Sequence, residues 1–390
     1  MSASTGSLIR VDAALSRYSG GIPDLGVYLH YPWCRKRCPY CDFAIEVGPP
    51  AHGEYLDAIS RELDARAGAF AGELVSIYLG GGTPSLWRTD CIAEAIRRIC
   101  ERFAGAPKEI TIEANPTDCT SDNLAAWRAA GIGRISIGVQ SFAARELVVL
   151  GRDHRFGDGR AAVARSLAAG LSTSADFIIG VPGTASLPEL DTSPDHLSIY
   201  ELTIEERTAF GQRVRDGRLV PLPEDELTEL YVAIHDRLAA AGYEHYEISS
   251  YARPGKRAVH NSLYWRGAAF LGLGVGAASL ELAGDGSGRR VTNPRRASAY
   301  LAAPGEPAEV VDSTADELAA DRAWLGLRTS DGVAESDLVP AAGLADWLVA
   351  ERLAERRAGR ICPTLRGFLL ADRIASRVVG TWSAKLGVTG

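Results

Sequence analysis

The sequence predicts an α/β fold: parallel strands alternating with helices in an open, partial (β/α)6 barrel, followed by a small winged-helix-like module. Three observations carry this expectation. Short β-rich runs recur along the first 200 residues with amphipathic segments between them, an alternation that implies parallel pairing. The residues that end those runs are polar or glycine-rich, as at the ligand-binding edge of parallel α/β architectures. Beyond residue 283 a Gly-, Pro-, Ala- and Arg-rich stretch separates this pattern from a compact C-terminal one.

The strands are read at 26–31 (GVYLHY), 75–80 (VSIYLG), 109–114 (EITIEA), 134–139 (RISIGV), 175–181 (ADFIIGV) and 196–202 (HLSIYEL). Between them, apolar residues at helical spacing mark 54–70, 90–103, 121–131 and 159–170 as helices, the third opened by Ser121 as N-cap. The link at 182–195, PGTASLPELDTSPD, has three prolines and no helical period. It is expected to cross the sheet without a helix, leaving the outer faces of the flanking strands short of cover. Leu187 and Leu190 should then fold inward as a plug, with any remaining patch open to a partner or to a second copy in a homodimer.

After the sixth strand come a helix at 223–242 and the run HYEISSYARPGKRAVHNSLYWRGAAFLGLGVGAASL. The expected organisation is a barrel with its HNSLYW extension at 1–282, a linker at 283–313 and the C-terminal module at 314–390. That module reads as helices at 316–327 and 343–354, a turn at Ala358-Gly359, the strand RICPT and a last helix at 365–379.

An apolar content of 46% in 390 residues supports a large core. The formal charge of −7 argues against a nucleic-acid partner, and the basic excess within 351–390 reads as a solvated helix face. The N-terminal residues carry neither a secretory h-region nor a transit-peptide pattern, and no run approaches eighteen apolar residues, so a cytoplasmic location is expected. Of seven cysteines, Cys91, Cys100, Cys119 and Cys362 are scattered and read as packing residues.

Cys34, Cys38 and Cys41 are different. They form C-x3-C-x2-C on the loop after the first strand, with no second cysteine or histidine pair to complete a structural zinc site. Three thiolates in one loop suit an iron–sulfur cluster with one iron left open to a small molecule.

At this point the chain resembles the radical S-adenosylmethionine (SAM) superfamily. The flanking YLHYPWCRKRCPYCDF narrows the resemblance to the oxygen-independent coproporphyrinogen III oxidase-like group and its haem chaperone branch, HemW. IYLGGGTPSL, ITIEANP, ISIGVQSF, LGRDH, DFIIGVPG, PDHLSIYELTIE, HNSLYW and WLGLRTSDGV extend the resemblance along nearly the whole chain. It implies a radical SAM barrel in which Cys34, Cys38 and Cys41 hold a 4Fe-4S cluster and SAM ligates the open iron. By the same resemblance Tyr28, Phe43, Gly81, Gly82, Thr83, Glu113, Gln140, Arg152 and Asp176 surround SAM. A glycine run lets backbone groups approach a ligand, carboxylates suit ribose hydroxyls or an ammonium, and arginine suits a carboxylate.

Phe43 separates the branches. The oxidases of this group place an additional cysteine there, and a phenyl ring cannot replace a thiol in redox or ligand chemistry. HemW-type proteins carry phenylalanine at that place and also HNSLYW, which makes His260, Tyr264 and Trp265 the haem candidates. One departure is Ala278, where the family commonly has histidine. The resemblance therefore implies a haem chaperone with haem as cargo, a haem-accepting protein as partner, and an electron donor such as a flavodoxin or ferredoxin. The competing classes are a porphyrinogen oxidase or radical methyltransferase, which share the cysteine loop, and a nucleic-acid binder using the C-terminal module.

Overall fold

The structure, a computed structural model, describes residues 23–184, 189–191, 193–339, 341 and 343–386. All six predicted strands are present: β1 (Asp24–Tyr31), then, after two-residue strands β2 (Trp33–Cys34) and β3 (Glu46–Val47), β4 (Glu73–Gly81), β5 (Glu109–Ala114), β6 (Arg134–Gln140), β7 (Ser172–Ile179) and β8 (His196–Glu201). They lie side by side in chain order, all parallel. The first turns of the barrel are covered by helices α1 (His52–Arg66), α2 (Thr89–Arg102), α3 (Ser121–Ala129), the short α4 (Ala144–Val149) and α5 (Asp158–Ala168).

Strand alternation sorts the side chains. Leu25, Val27, Leu29 and Tyr31 of β1 join Tyr55, Ile59 and Leu63 of α1 and Ile92, Ile96 and Ile99 of α2 in one buried cluster. Each such aliphatic side chain stabilises the fold by roughly 1.5–3 kcal/mol when fully buried. The other parity turns inward and is polar: Tyr28, Ser76, Tyr78, Glu113, Ser136, Asp176 and Ser198. The cap of α3 lies one residue earlier than expected, because it is the hydroxyl of Thr120, not Ser121, that accepts the Asn123 N–H at 3.2 Å.

Past β8 come α6 (Ala209–Arg215), α7 (Glu224–Ala240), β9 (Glu244–Glu247), β10 (Ser250–Ala252) and α8 (Val259–Trp265). β11 (Phe270–Gly274) then returns to the opposite side of β1 and pairs with it in parallel, a seventh barrel strand that the sequence did not signal. Its FLGLG run lacks β-branched residues. Glycine is required nonetheless: a Cβ at Gly272 would sit 2.0 Å from the Ala278 carbonyl oxygen. The twelve-stranded sheet ends antiparallel on both sides, with β12 (Ala278–Leu282), β13 (Gly288–Thr292) and β14 (Glu309–Ser313) beyond β11, and β10 and β9 beyond β8.

Two expectations are corrected here. The stretch 283–313 is not a bare linker, since it holds β13, helix α9 (Ala297–Ala302) and β14. β14 is exposed at four of five positions and β13 buries only Val291, so there was no apolar alternation to read. The outer faces of β7 and β8 are not short of cover either. Leu230, Ile234 and Leu238 of α7, together with Leu190, share a cluster with Phe177, Ile179, Leu197 and Ile199. Among the described residues of 182–195 there is no helix; Leu190 is buried as expected, and Leu187 lies outside the described residues.

The C-terminal part has an apolar cluster of its own, including Leu327, Leu344, Leu348, Ile361, Ile374 and Trp382. α10 (Ala315–Gly326), α11 (Leu344–Ala350), α12 (Leu365–Leu369) and α13 (Ala371–Leu386) pack around an antiparallel sheet of β15 (Val333–Ala334), β16 (Ala354–Arg357) and β17 (Arg360–Pro363). α10 opens with a capping box in which Thr314 and Glu317 bond each other's backbone N–H.

Candidate functional site

The C-terminal ends of β4 to β8 and the cysteine loop enclose a cavity of about 510 Å³. The loop is pinned at several points. β2 and β3 pair in parallel at its two ends, and the Thr83 N–H donates to the Trp33 carbonyl at 3.0 Å, which extends the β1–β4 pairing into the loop. The Cys41 N–H closes a turn on the Cys38 carbonyl at 3.1 Å. Arg35 forms a two-pronged ion pair with the buried Asp118, which also accepts the Ser85 hydroxyl at 2.7 Å.

Cys34, Cys38 and Cys41 all line the cavity. The Thr83 hydroxyl reaches the Cys34 sulfur at 3.4 Å, and an Arg152 guanidinium nitrogen lies 3.7 Å from the Cys38 sulfur. Burial pushes the Cys34 thiol up to about 11 and raises that of Cys41, with the neighbouring thiols adding to both. Among the described residues no three His, Cys, Asp or Glu side chains converge on a point that would hold a lone metal ion. All three thiols border the same space, and thiolate is the usual protein ligand of an iron–sulfur cluster.

Two acids also line the cavity. Glu113 accepts the Tyr78 hydroxyl at 2.9 Å and the Gly81 N–H at 3.0 Å, and Asp176 accepts the Ser136 hydroxyl at 2.8 Å and the Ser174 hydroxyl at 3.2 Å. Burial first, and then the charge of Asp176, lifts the Glu113 carboxyl to about 7; burial also raises that of Asp176. Two facing carboxyl groups held this way favour a ligand with a positive charge and several hydroxyls. That is the chemistry of SAM. Arg152, whose Nε is buried with no partner, supplies a cation beside Cys38. The residues present therefore fit both a cluster and SAM.

Gln140 sits at the strand end with a positive φ of 63°, where β6 loses register with β7, and this bulge turns it to the cavity. Gly81, Gly82 and Thr83 form the adjoining wall. The glycines have a second reason to be there: at Gly81 (φ +112°) a Cβ would lie 2.5 Å from the His30 ring. Phe43 lies at the mouth, 66% exposed. Tyr28 is the exception among the expected SAM residues, for it does not reach the cavity wall. Its hydroxyl bonds His30 Nδ1 at 3.0 Å and its ring stacks on Tyr78, deeper in the barrel. The sequence reading passed over Tyr40, Tyr78, Ser136 and the Arg35–Asp118 pair. Strand parity could have found Tyr78 and Ser136, which share the inward face with Gly80 and Gly138.

Residues 28–185 match the radical SAM superfamily. Over 371 residues the chain is 34% identical to the haem chaperone HemW of Mycobacterium tuberculosis H37Rv, spanning 91% of this chain and 95% of that one. The chain belongs to the HemW family. Escherichia coli HemW is 38% identical over 296 residues, 72% of this chain and 76% of that one. Among solved structures, Escherichia coli coproporphyrinogen III oxidase (HemN), described as a radical SAM enzyme, superposes with a TM-score of 0.73 over 96% of this chain and 93% of that one. At 23% identity this likeness establishes the fold.

The HNSLYW segment of this HemW relative forms α8, lodged in the barrel floor. Its first N–H groups, those of Val259 and His260, both donate to the Glu109 carboxylate at 3.1 Å, a side-chain cap supplied by β5. His260 was expected as an available haem ligand, but it is 1% exposed and both ring nitrogens are engaged, Nδ1 with the Ser76 hydroxyl at 2.9 Å and Nε2 with the Tyr264 hydroxyl at 2.8 Å. Burial lowers its pKa to about 3, so the ring is neutral. Tyr264 extends further, to a separate pocket of about 410 Å³ that it shares with Phe270, Arg290 and Trp324. Trp265 is half-buried beside it.

Proposed function

We propose that this chain carries haem to an acceptor protein, with a 4Fe-4S cluster on Cys34, Cys38 and Cys41 and SAM in the adjoining cavity. The observation that best supports the reading is the convergence of the three cysteines with Gly81, Gly82, Thr83, Glu113, Gln140, Arg152 and Asp176 around one space, while Phe43 stands where an oxidase would need a thiol. When bound, the cluster supplies an iron without a protein ligand and, once reduced, an electron that can break the carbon–sulfur bond of SAM.

The chain's own residues then have distinct tasks. Glu113 and Asp176 accept hydrogen bonds from the ammonium or ribose hydroxyls of SAM, and binding of a cation draws both toward the ionised form. Arg152 neutralises a ligand carboxylate. Gln140 offers both a donor and an acceptor. Tyr28 acts from behind, holding Tyr78 and through it Glu113. For haem, His260 orients Tyr264 rather than meeting the cargo itself, and Tyr264 with Trp265 presents the aromatic surface.

The test is anaerobic reconstitution of the cluster, followed by addition of haem and, separately, coproporphyrinogen III. Tight haem binding without protoporphyrinogen formation is expected. Sustained turnover of the porphyrinogen would reject the chaperone reading in favour of an oxidase.

A further inference from the structure

The cysteine loop has an outer face as well as an inner one. Cys38, Cys41 and Phe43 line the cavity described above and also a separate, open recess of about 680 Å³ on the other side. Two of the three cluster cysteines are thus the partition between the interior and the surface. Around the recess stand four arginines, Arg37, Arg207, Arg295 and Arg296, against two carboxylates, Asp42 and Glu46.

Both carboxylates are already engaged. Asp42 is ion-paired with Arg207, and its carbonyl accepts an Arg295 N–H at 2.6 Å; Glu46 accepts the Ala297 N–H at 3.1 Å. Among the described residues no carboxylate pairs with Arg37 or Arg296. Within this face stands an exposed aromatic ring, that of Phe43, which is 66% exposed. An exposed aromatic side chain within a charged rim is a feature of protein–protein interfaces, and rim charges govern encounter rate and partner choice. The chain as a whole carries −7, so this basic rim is a local reversal that draws an acidic partner and no basic one.

We infer that the recess is the docking surface for a small acidic protein that delivers single electrons to the cluster. The inference rests on the cluster assignment proposed above. Each encounter oxidises the donor by one electron and reduces the cluster by one, with no atom transferred between the proteins, and Cys38 and Cys41, which border both spaces, lie between the surface and the cluster.

The experiment uses cluster-loaded protein, its iron and sulfide measured first, titrated with purified flavodoxin at several salt concentrations. Saturable binding that weakens as salt rises is expected. The double variant Arg295→Glu, Arg296→Glu should weaken it by about tenfold or more and Phe43→Ala by several-fold, while Lys108→Glu, at the opposite edge of the sheet, leaves it unchanged. Absence of saturable binding, or equal loss with Lys108→Glu, overturns the inference. So does a loss of haem affinity in the double variant with flavodoxin binding intact, which would make the recess a cargo site, or a change in its sedimentation alone, which would make it a self-association face. Failure to retain iron in the wild type would count against the cluster assignment, not against the docking surface.

Discussion

Glu113→Gln should make the ligand-free protein more stable at alkaline pH while making it a poorer binder. In the folded protein the Glu113 carboxyl is lifted from 4.5 to about 7, with burial as the main cause. Between those values the folded state keeps a proton that the unfolded chain releases. The stability this represents is therefore fully present below pH 4.5 and lost as pH rises through 7. At 1.36 kcal/mol per pH unit the loss is at most about 3 kcal/mol, and water in the cavity reduces it to about 1–2 kcal/mol. Glutamine carries no such loss and keeps both contacts, since its carbonyl can accept the Gly81 N–H while its amide donates to the Tyr78 hydroxyl. Urea unfolding followed by tryptophan fluorescence at pH 5, 6.5 and 8 is the assay. Wild type and variant should coincide near pH 5 and diverge by about 1–2 kcal/mol at pH 8, with SAM affinity at pH 8 lower by about tenfold or more. Parallel stability curves across the range would refute the reasoning, because they would mean that Glu113 is ionised in the folded protein at no cost.

Cys38→Ala should abolish iron retention while leaving haem binding largely intact, because Tyr264 opens on a different pocket; iron content and haem titration by absorbance check the two independently. Asp118→Asn weakens the hold on Arg35 and so on the cysteine loop. Cluster loss to a chelator should be several-fold faster, with global stability lower by only about 1 kcal/mol because Arg35 is half exposed. Leu348→Ala empties a fully buried position in the C-terminal cluster and should cost about 2–5 kcal/mol, measured by denaturant unfolding.

The strands that were legible are those buried on both faces, whose apolar runs end abruptly at glycine or a polar residue, as IYLGGG does. Cys34, Cys38 and Cys41 stand out by spacing alone, and the fold sets all three on one cavity. What escaped notice had no local signature. β14 is bounded by water on both faces, so its Val310 and Val311 follow no core pattern. The pairing of Arg35 with Asp118 joins residues 83 apart, and only the fold brings them together. The burial of His260 escaped notice for a related reason: a histidine in an aromatic motif reads the same whether it faces solvent or, as here, is buried with both ring nitrogens hydrogen-bonded.

The parallel pairing of β1 with β11 sets the order of events on the ribosome. β1 emerges before every other strand described here, yet its second neighbour begins at Phe270. At synthesis rates of about 5–20 residues per second, one edge of a strand destined for the middle of the sheet waits about 10–50 seconds for its partner. During that interval its unpaired N–H and C=O groups are a template for intermolecular pairing, and such long-range parallel contacts are slow to form. A nascent chain halted before residue 270 is accordingly the form most prone to aggregate, and one released after β11 has emerged should escape that fate.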